Sequence, residues 1–158
     1  VVLKGEDDLL NAHLQKRKAE GTRVNINMIG EIVLGEEEAQ ERIEKYMHIL
    51  TNPNIDYMSI KISTLFSQIN PVSYENTVEE FSQRLSKIFA QAKKYSFTNA
   101  KGEQENKFIN LDMEEYRDLS LTVATFKKVL EQPEFKDFIF VEVKETIDFN
   151  GNYIIFKH

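Results

Sequence analysis

A chain of 158 residues, 41% hydrophobic and 29% charged, has the means to bury one core and is not a disordered polymer. Its net charge of −6, without any basic run, argues against a nucleic-acid partner, and no stretch has the apolar length of a membrane span. With no Cys, disulfides, thiol catalysis and Cys-ligated metals are excluded together, and a cytoplasmic setting fits.

Val1-Val2-Leu3-Lys4 is no secretory signal, and a start without Met reads as an excerpt or trimmed chain. Residues 6–20 are predicted helical, with Leu9, Leu10, Ala12, His13 and Leu14 as the apolar stripe. Lys16, Arg17 and Lys18 fall in its last turn and Gly21 stops it. Arg23 to Ile29 reads as a first strand ending at Gly30-Glu31. The next helix opens on Glu36, Glu37 and Glu38, which complement its dipole. It turns Ala39, Ile43, Tyr46, Met47 and Leu50 inward.

After the loop Thr51-Asn52-Pro53-Asn54 comes Tyr57-Met58-Ser59-Ile60-Lys61-Ile62-Ser63-Thr64-Leu65, apolar or small almost throughout and read as a buried strand. Alternation puts Ile60 and Ile62 on one face and Ser59, Lys61 and Ser63 on the other. An ammonium so placed either escapes to solvent or meets a carboxylate or an anionic ligand.

Beyond Asn70-Pro71 a long helix is expected from about Thr77 to Lys94. Thr77 and Glu80 form a capping box, and Val78, Phe81, Leu85, Ile88, Phe89 and Ala92 form the stripe. Lys101-Gly102-Glu103-Gln104 is a polar turn, and Phe108-Ile109-Asn110-Leu111 a third strand closing on Asp112. Tyr116, Leu119, Val123, Phe126 and Leu130 predict a further helix that Pro133 ends, and Phe138 to Val141 reads as a fourth strand. Strands alternating with helices predict a parallel sheet with right-handed crossovers. The tail differs. Asn150-Gly151 between alternating apolar residues from Ile147 to Ile155 is a hairpin signal, so residues 1–141 and 142–158 are read as separate segments.

Ligands of parallel α/β sheets gather outside the carboxyl ends of the strands. Glu31 after the first strand, Lys61 late in the second and Asp112 after the third all fall there, with Asn27 and Ser63 near by. The set suits an anionic or zwitterionic small molecule, Lys61 meeting a carboxylate; it equally suits a Lys–carboxylate pair that only fixes the sheet. His13, His48 and His158 have no metal spacing, so no metal is expected. No P-loop, nucleophile elbow or dinucleotide fingerprint is present.

Three ordered segments resemble the proline dehydrogenase domain, in the form carried by bifunctional proline utilisation A flavoproteins. They are Arg17-Lys18-Ala19-Glu20-Gly21 through Asn25-Ile26-Asn27-Met28-Ile29-Gly30-Glu31 to Gly35-Glu36-Glu37-Glu38-Ala39, then Ser59-Ile60-Lys61-Ile62-Ser63, then Asn110-Leu111-Asp112-Met113-Glu114-Glu115-Tyr116. The resemblance covers roughly residues 9–140. It implies a (βα)₈-type barrel that holds FAD and passes a hydride from proline to the flavin, yielding 1-pyrroline-5-carboxylate. It also implies that Lys61 binds the substrate carboxylate, that Asp112 shares its pocket, and that Glu31 sits in the loop after the first strand. Asn27 stands where the family often has Asp. The family's flavin-contacting Gln and Tyr-Leu-Pro segment are replaced by Val141-Glu142-Val143-Lys144-Glu145-Thr146. A full barrel needs about 250 residues. The expectation is therefore a partial (βα)₈-type barrel of three to four βα units, with a lead helix and a C-terminal hairpin. It is expected to bind no FAD and turn over no proline alone; the alternative is a non-enzymatic half-barrel that acts as a binding module or self-associates through an open sheet edge.

Overall fold

The computed structural model describes residues 7–29, 35–65, 73–113, 119–136, 141–145 and 155–157. Four α-helices, α1 (Asp7–Ala19), α2 (Glu36–Leu50), α3 (Tyr74–Lys94) and α4 (Leu119–Leu130), alternate with the strands β1 (Asn25–Asn27), β2 (Tyr57–Lys61), β5 (Phe108–Met113) and β6 (Val141–Glu145). The short pair β3 (Phe97–Thr98) and β4 (Gln104–Glu105) and the last strand β7 (Ile155–Lys157) complete the order.

The sheet runs β1-β2-β5-β6-β7. Its first four strands pair in parallel, and β7 lies antiparallel on β6. Each helix returns the chain to the same end of the sheet, as strand–helix alternation requires. This is part of a (βα)₈-type barrel.

One sheet face is apolar. Met58 and Ile60 of β2 and Ile109 and Leu111 of β5 are buried against Ile43, Tyr46 and Leu50 of α2, Val78, Phe81, Leu85, Ile88, Phe89 and Ala92 of α3, and Phe126, Val129 and Leu130 of α4. The α2 and α3 stripes are those the spacing predicts. The α4 stripe is rotated: Leu121, Thr122, Thr125, Phe126, Val129 and Leu130 are buried, and Val123 is not. Two Thr on the inner face hide that stripe from a count of apolar residues. Tyr116 lies outside the described residues.

Other boundaries also move. The lead helix ends as expected, with Gly21 at φ 70° and Thr22 N–H bonded to the Arg17 carbonyl at 2.9 Å, a conformation that favours Gly. No capping box forms at Thr77. The α3 helix begins a turn earlier at Tyr74, and the Thr77 hydroxyl donates back to the Ser73 carbonyl at 2.9 Å. The predicted polar turn at Lys101–Gln104 joins β3 to β4, a hairpin the sequence reading did not include.

The fourth strand runs Val141–Glu145, whereas 137–140, where it was expected to begin, lie outside the described residues. The expected hairpin around Asn150-Gly151 also lies outside them, except for Ile155. What is described is β7 pairing back on β6 in antiparallel register, as Glu142↔Lys157 and Lys144↔Ile155.

A lysine the sequence reading passed over anchors the amino end of β5. Lys107 is fully buried, and its Nζ donates to the carbonyls of Asn52 (2.5 Å) and Ile55 (2.7 Å) in the loop between α2 and β2. The Asn52 carbonyl also accepts from Ile55 N–H at 3.2 Å, so Lys107 adds a second donor there and supplies one to Ile55 near a helix C-terminus. Next to it, Asp56 accepts from Arg23 at 2.7 Å, and the guanidinium lies 5.9 Å from the centre of the Tyr57 ring.

Candidate active site at the carboxyl edge

The second sheet face is polar, and the register stacks it in rows. Tyr57 pairs with Phe108, Ser59 with Asn110, and Lys61 with Asp112. In a parallel pair, register partners stand side by side on one face about 4.8 Å apart. At the amino end the Tyr57 and Phe108 rings meet edge to face, centroids 5.0 Å apart. In the middle, Ser59 and Asn110 are buried, and the Ser59 hydroxyl oxygen accepts from Asn110 Nδ2 at 2.9 Å and from Asn25 Nδ2 at 2.8 Å. Asn110 Oδ1 is buried with no hydrogen-bond partner. The last row, at the carboxyl edge, holds Lys61 and Asp112, both half-buried.

The register brings Lys61 and Asp112 into one row at the carboxyl edge, with one difference from the expected strand end. Asp112 is inside β5, where Met113 follows it, rather than beyond the strand. Its in-strand position fixes its backbone on both sides, opposite Lys61 on β2 and opposite Lys144 on β6. Asn27 ends β1 and pairs with Ser59, one row behind Lys61. It is exposed. Glu31 lies outside the described residues.

The expectation for Ser63 is corrected. The strand stops at Lys61 and a 3₁₀ turn, Ile62–Thr64, replaces its predicted second half. The cause is Thr64, whose Oγ1 donates to the Lys61 carbonyl at 2.7 Å and so gives the chain a local alternative to the ladder. Ser63 thus sits in the turn and not on the Lys61 face. Leu65 N–H closes the turn on the Ile62 carbonyl at 3.0 Å.

Two helices hold this turn. From α2, the buried Tyr46 hydroxyl lies 3.2 Å from Thr64 Oγ1. Burial pushes its phenol pKa up; its hydrogen bonds with Thr64 and the Lys61 backbone, and the charges of Arg42 and Lys61, oppose this. From α3, Arg84 Nη1 donates to the Leu65 carbonyl at 2.9 Å, and its other nitrogen pairs with Glu36 and Glu80. None of Tyr46, Thr64, Arg84, Asn25 or Asn110 was singled out from sequence. The polar alternation Asn25/Asn27 and Asn110/Asp112 was the available signal for the middle row; the Tyr46 and Arg84 contacts carry none.

Among the described residues no group of three His, Cys, Asp or Glu could hold a metal, and no helix is long and apolar enough to cross a membrane. A cavity of about 200 Å³ opens at the other end of the sheet, near Arg23, Asp56, Thr98 and Glu105. Parallel sheets work at the opposite edge, so the charged pair, not this cavity, is the candidate site.

Parallel βα units with an ammonium and a carboxylate side by side at the carboxyl edge define part of a barrel-type α/β protein suited to a small charged ligand. The family model for proline dehydrogenase matches residues 10–143, and the chain belongs to that family. Among solved structures, proline utilisation A from Corynebacterium freiburgense is 39% identical, with a TM-score of 0.73 over 85% of this chain and 13% of that one. The Bdellovibrio bacteriovorus protein, inactivated by N-propargylglycine, is 27% identical, with a TM-score of 0.70 over 87% of this chain and 15% of that one. The Bradyrhizobium japonicum protein, at 18% identity and a TM-score of 0.62 over 82% of this chain and 14% of that one, shares the fold. This chain thus spans less than a sixth of the length of these relatives. No match was found among curated proteins.

Proposed function

We propose that this chain carries the substrate-carboxylate side of a proline dehydrogenase site. The observation that carries the reading is the register pairing of Lys61 with Asp112 at the carboxyl edge, in a chain of this family. Proline is a zwitterion whose carboxylate and secondary ammonium lie one carbon apart. Lys61 takes the carboxylate as a charge-assisted hydrogen-bond donor, and Asp112, its register partner one strand away, accepts from the ring ammonium. Asn27 stands one row behind the pair, and Glu31 enters by resemblance alone.

FAD is the family's hydride acceptor, and a cofactor of that kind carries the oxidation itself. The described carboxyl-edge side chains offer one cation and one carboxylate, which suit an amino acid. They offer no nest of backbone donors and no guanidinium fork for a pyrophosphate. They do not fit FAD, so no hydride step is assigned to this chain. The reading is of a cytoplasmic protein segment that recognises proline without oxidising it alone.

Lys61→Met is expected to weaken L-proline binding at least tenfold in calorimetry, since it keeps the stem and removes the charge. Unchanged affinity would make the lysine a structural partner of Asp112 only. With FAD, proline and a dye acceptor the isolated chain is expected to give no dye reduction; measurable turnover would refute the view that it lacks the flavin pocket.

A second reading is a non-enzymatic, self-associating module. It is favoured by the three-residue β1, which among the described strands pairs only with β2 and so leaves an edge. Light scattering separates the two: a discrete dimer supports association through that edge, and a monomer leaves the proline reading.

A further inference from the structure

We infer that Tyr46 and Thr64 are positioning residues for Lys61, acting as a hydroxyl relay from α2 that fixes where β2 ends and therefore where the ammonium is aimed. The inference rests on the carboxylate-binding reading given above for Lys61. Thr64 has a single hydroxyl proton, and it is donated to the Lys61 carbonyl at 2.7 Å. The Tyr46 hydroxyl, 3.2 Å from the same oxygen, must then be the donor of that second bond. The order is Tyr46 to Thr64 to Lys61, each bond polarising the next in a site closed to water. Tyr46 is 0% exposed and Thr64 2%.

The relay works through the backbone, because Tyr46 lies on the helix-covered side of the sheet while Lys61 belongs to the polar row. At the far end of the turn, Arg84 holds the Leu65 carbonyl at 2.9 Å, so α2 and α3 grip the segment on both sides. The purpose of such a grip is angular. A tilt of about 10° at the Lys61 Cα swings an ammonium at the end of four methylenes by roughly 1 Å, beyond the tolerance of a preorganised site. A strand that ran on to Leu65, as alternation alone predicts, would have no such fixed exit.

The test uses the chain with Thr64→Val, which keeps the shape and loses the hydroxyl, and Thr64→Ser, which keeps the hydroxyl and loses a buried methyl. Both substitutions are expected to lower the urea midpoint. Only Thr64→Val is expected to weaken L-proline binding, five- to tenfold by calorimetry, and to lower the order of the Lys61 side chain in ¹³Cε relaxation of the ligand-free protein. Affinity and order both retained in Thr64→Val overturn the inference and leave the Lys61 reading standing. If wild type binds no proline, the Lys61 reading fails, and the ligand-free order parameter decides the relay: reduced by Val and restored by Ser supports it, unchanged in Val overturns it. Should Thr64→Val not fold, Tyr46→Phe removes one oxygen from the same relay, and an undiminished Lys61 order there overturns the inference equally.

Discussion

Phe89→Ala is expected to cost about 3–5 kcal/mol, a large share of the 5–15 kcal/mol by which a domain is usually stable. Phe89 is fully buried on α3. It meets Phe126 of α4 edge to face with centroids 6.4 Å apart, and Phe135 beyond α4 at 5.9 Å. Truncation removes the transfer energy of a phenyl ring and two aromatic contacts worth roughly 0.5–1.5 kcal/mol each. It also leaves a cavity between helices whose backbones are fixed by the sheet. The same cluster contains Ile109 and Leu111, which flank Asn110 and Asp112 in β5, so the loss reaches the strand that carries the acid. Urea unfolding should show the midpoint fall, with Phe89→Leu recovering much of it. A loss under about 1 kcal/mol would mean that α3 and α4 are not packed through this ring.

Lys107 should make stability rise with pH over a window where most domains are flat. Burial pulls its pKa down from 10.5 to about 8, against the opposing attraction of Asp56. Between about pH 8 and 10.5 the unfolded chain holds a proton that the folded chain has released, so the unfolded state binds more protons and raising the pH favours folding. From pH 7 to 9.5 the gain is about 2 kcal/mol. Neutral Lys107 still donates to the Asn52 and Ile55 carbonyls, so the anchor survives deprotonation. Above pH 10 the raised pKa of Tyr46 acts with the opposite sign, because the folded state then keeps a proton that the unfolded state gives up. Lys107→Met removes the Lys107 donor from the Ile55 carbonyl, at about 1–3 kcal/mol for a buried group left unpaired, leaves the Asn52 carbonyl only its Ile55 N–H, and abolishes the rise. Parallel pH curves for wild type and Lys107→Met would show that this ammonium is solvated.

How much of this was legible in the sequence follows from the range of each signal. Local periodicity carries far: the α2 and α3 stripes, the parallel strands and the Gly21 stop follow from steps of two or three to four residues. Mixed chemistry on one face defeats it, as in α4, where Thr122 and Thr125 are buried among apolar neighbours. Competition from side chains defeats it too, since Thr64 ends β2 four residues before its apolar run does. Residues that act across the fold leave no local trace. Lys107 meets Asn52 from 55 positions away, and Arg84 meets Leu65 from 19. Lys61 and Asp112 were found because a charge in a hydrophobic strand and an acid at the next strand's end are both locally odd; their side-by-side register required the sheet.

The most direct test compares L-proline with pyrrolidine, the same ring without its carboxylate, by calorimetry against the wild-type chain. L-Proline is expected to bind at least tenfold more tightly, a difference of about 1.4 kcal/mol carried by the Lys61 ammonium. Equal binding of the two rings, or no binding of L-proline at millimolar concentration, would contradict a carboxylate site at the edge of β2 and β5.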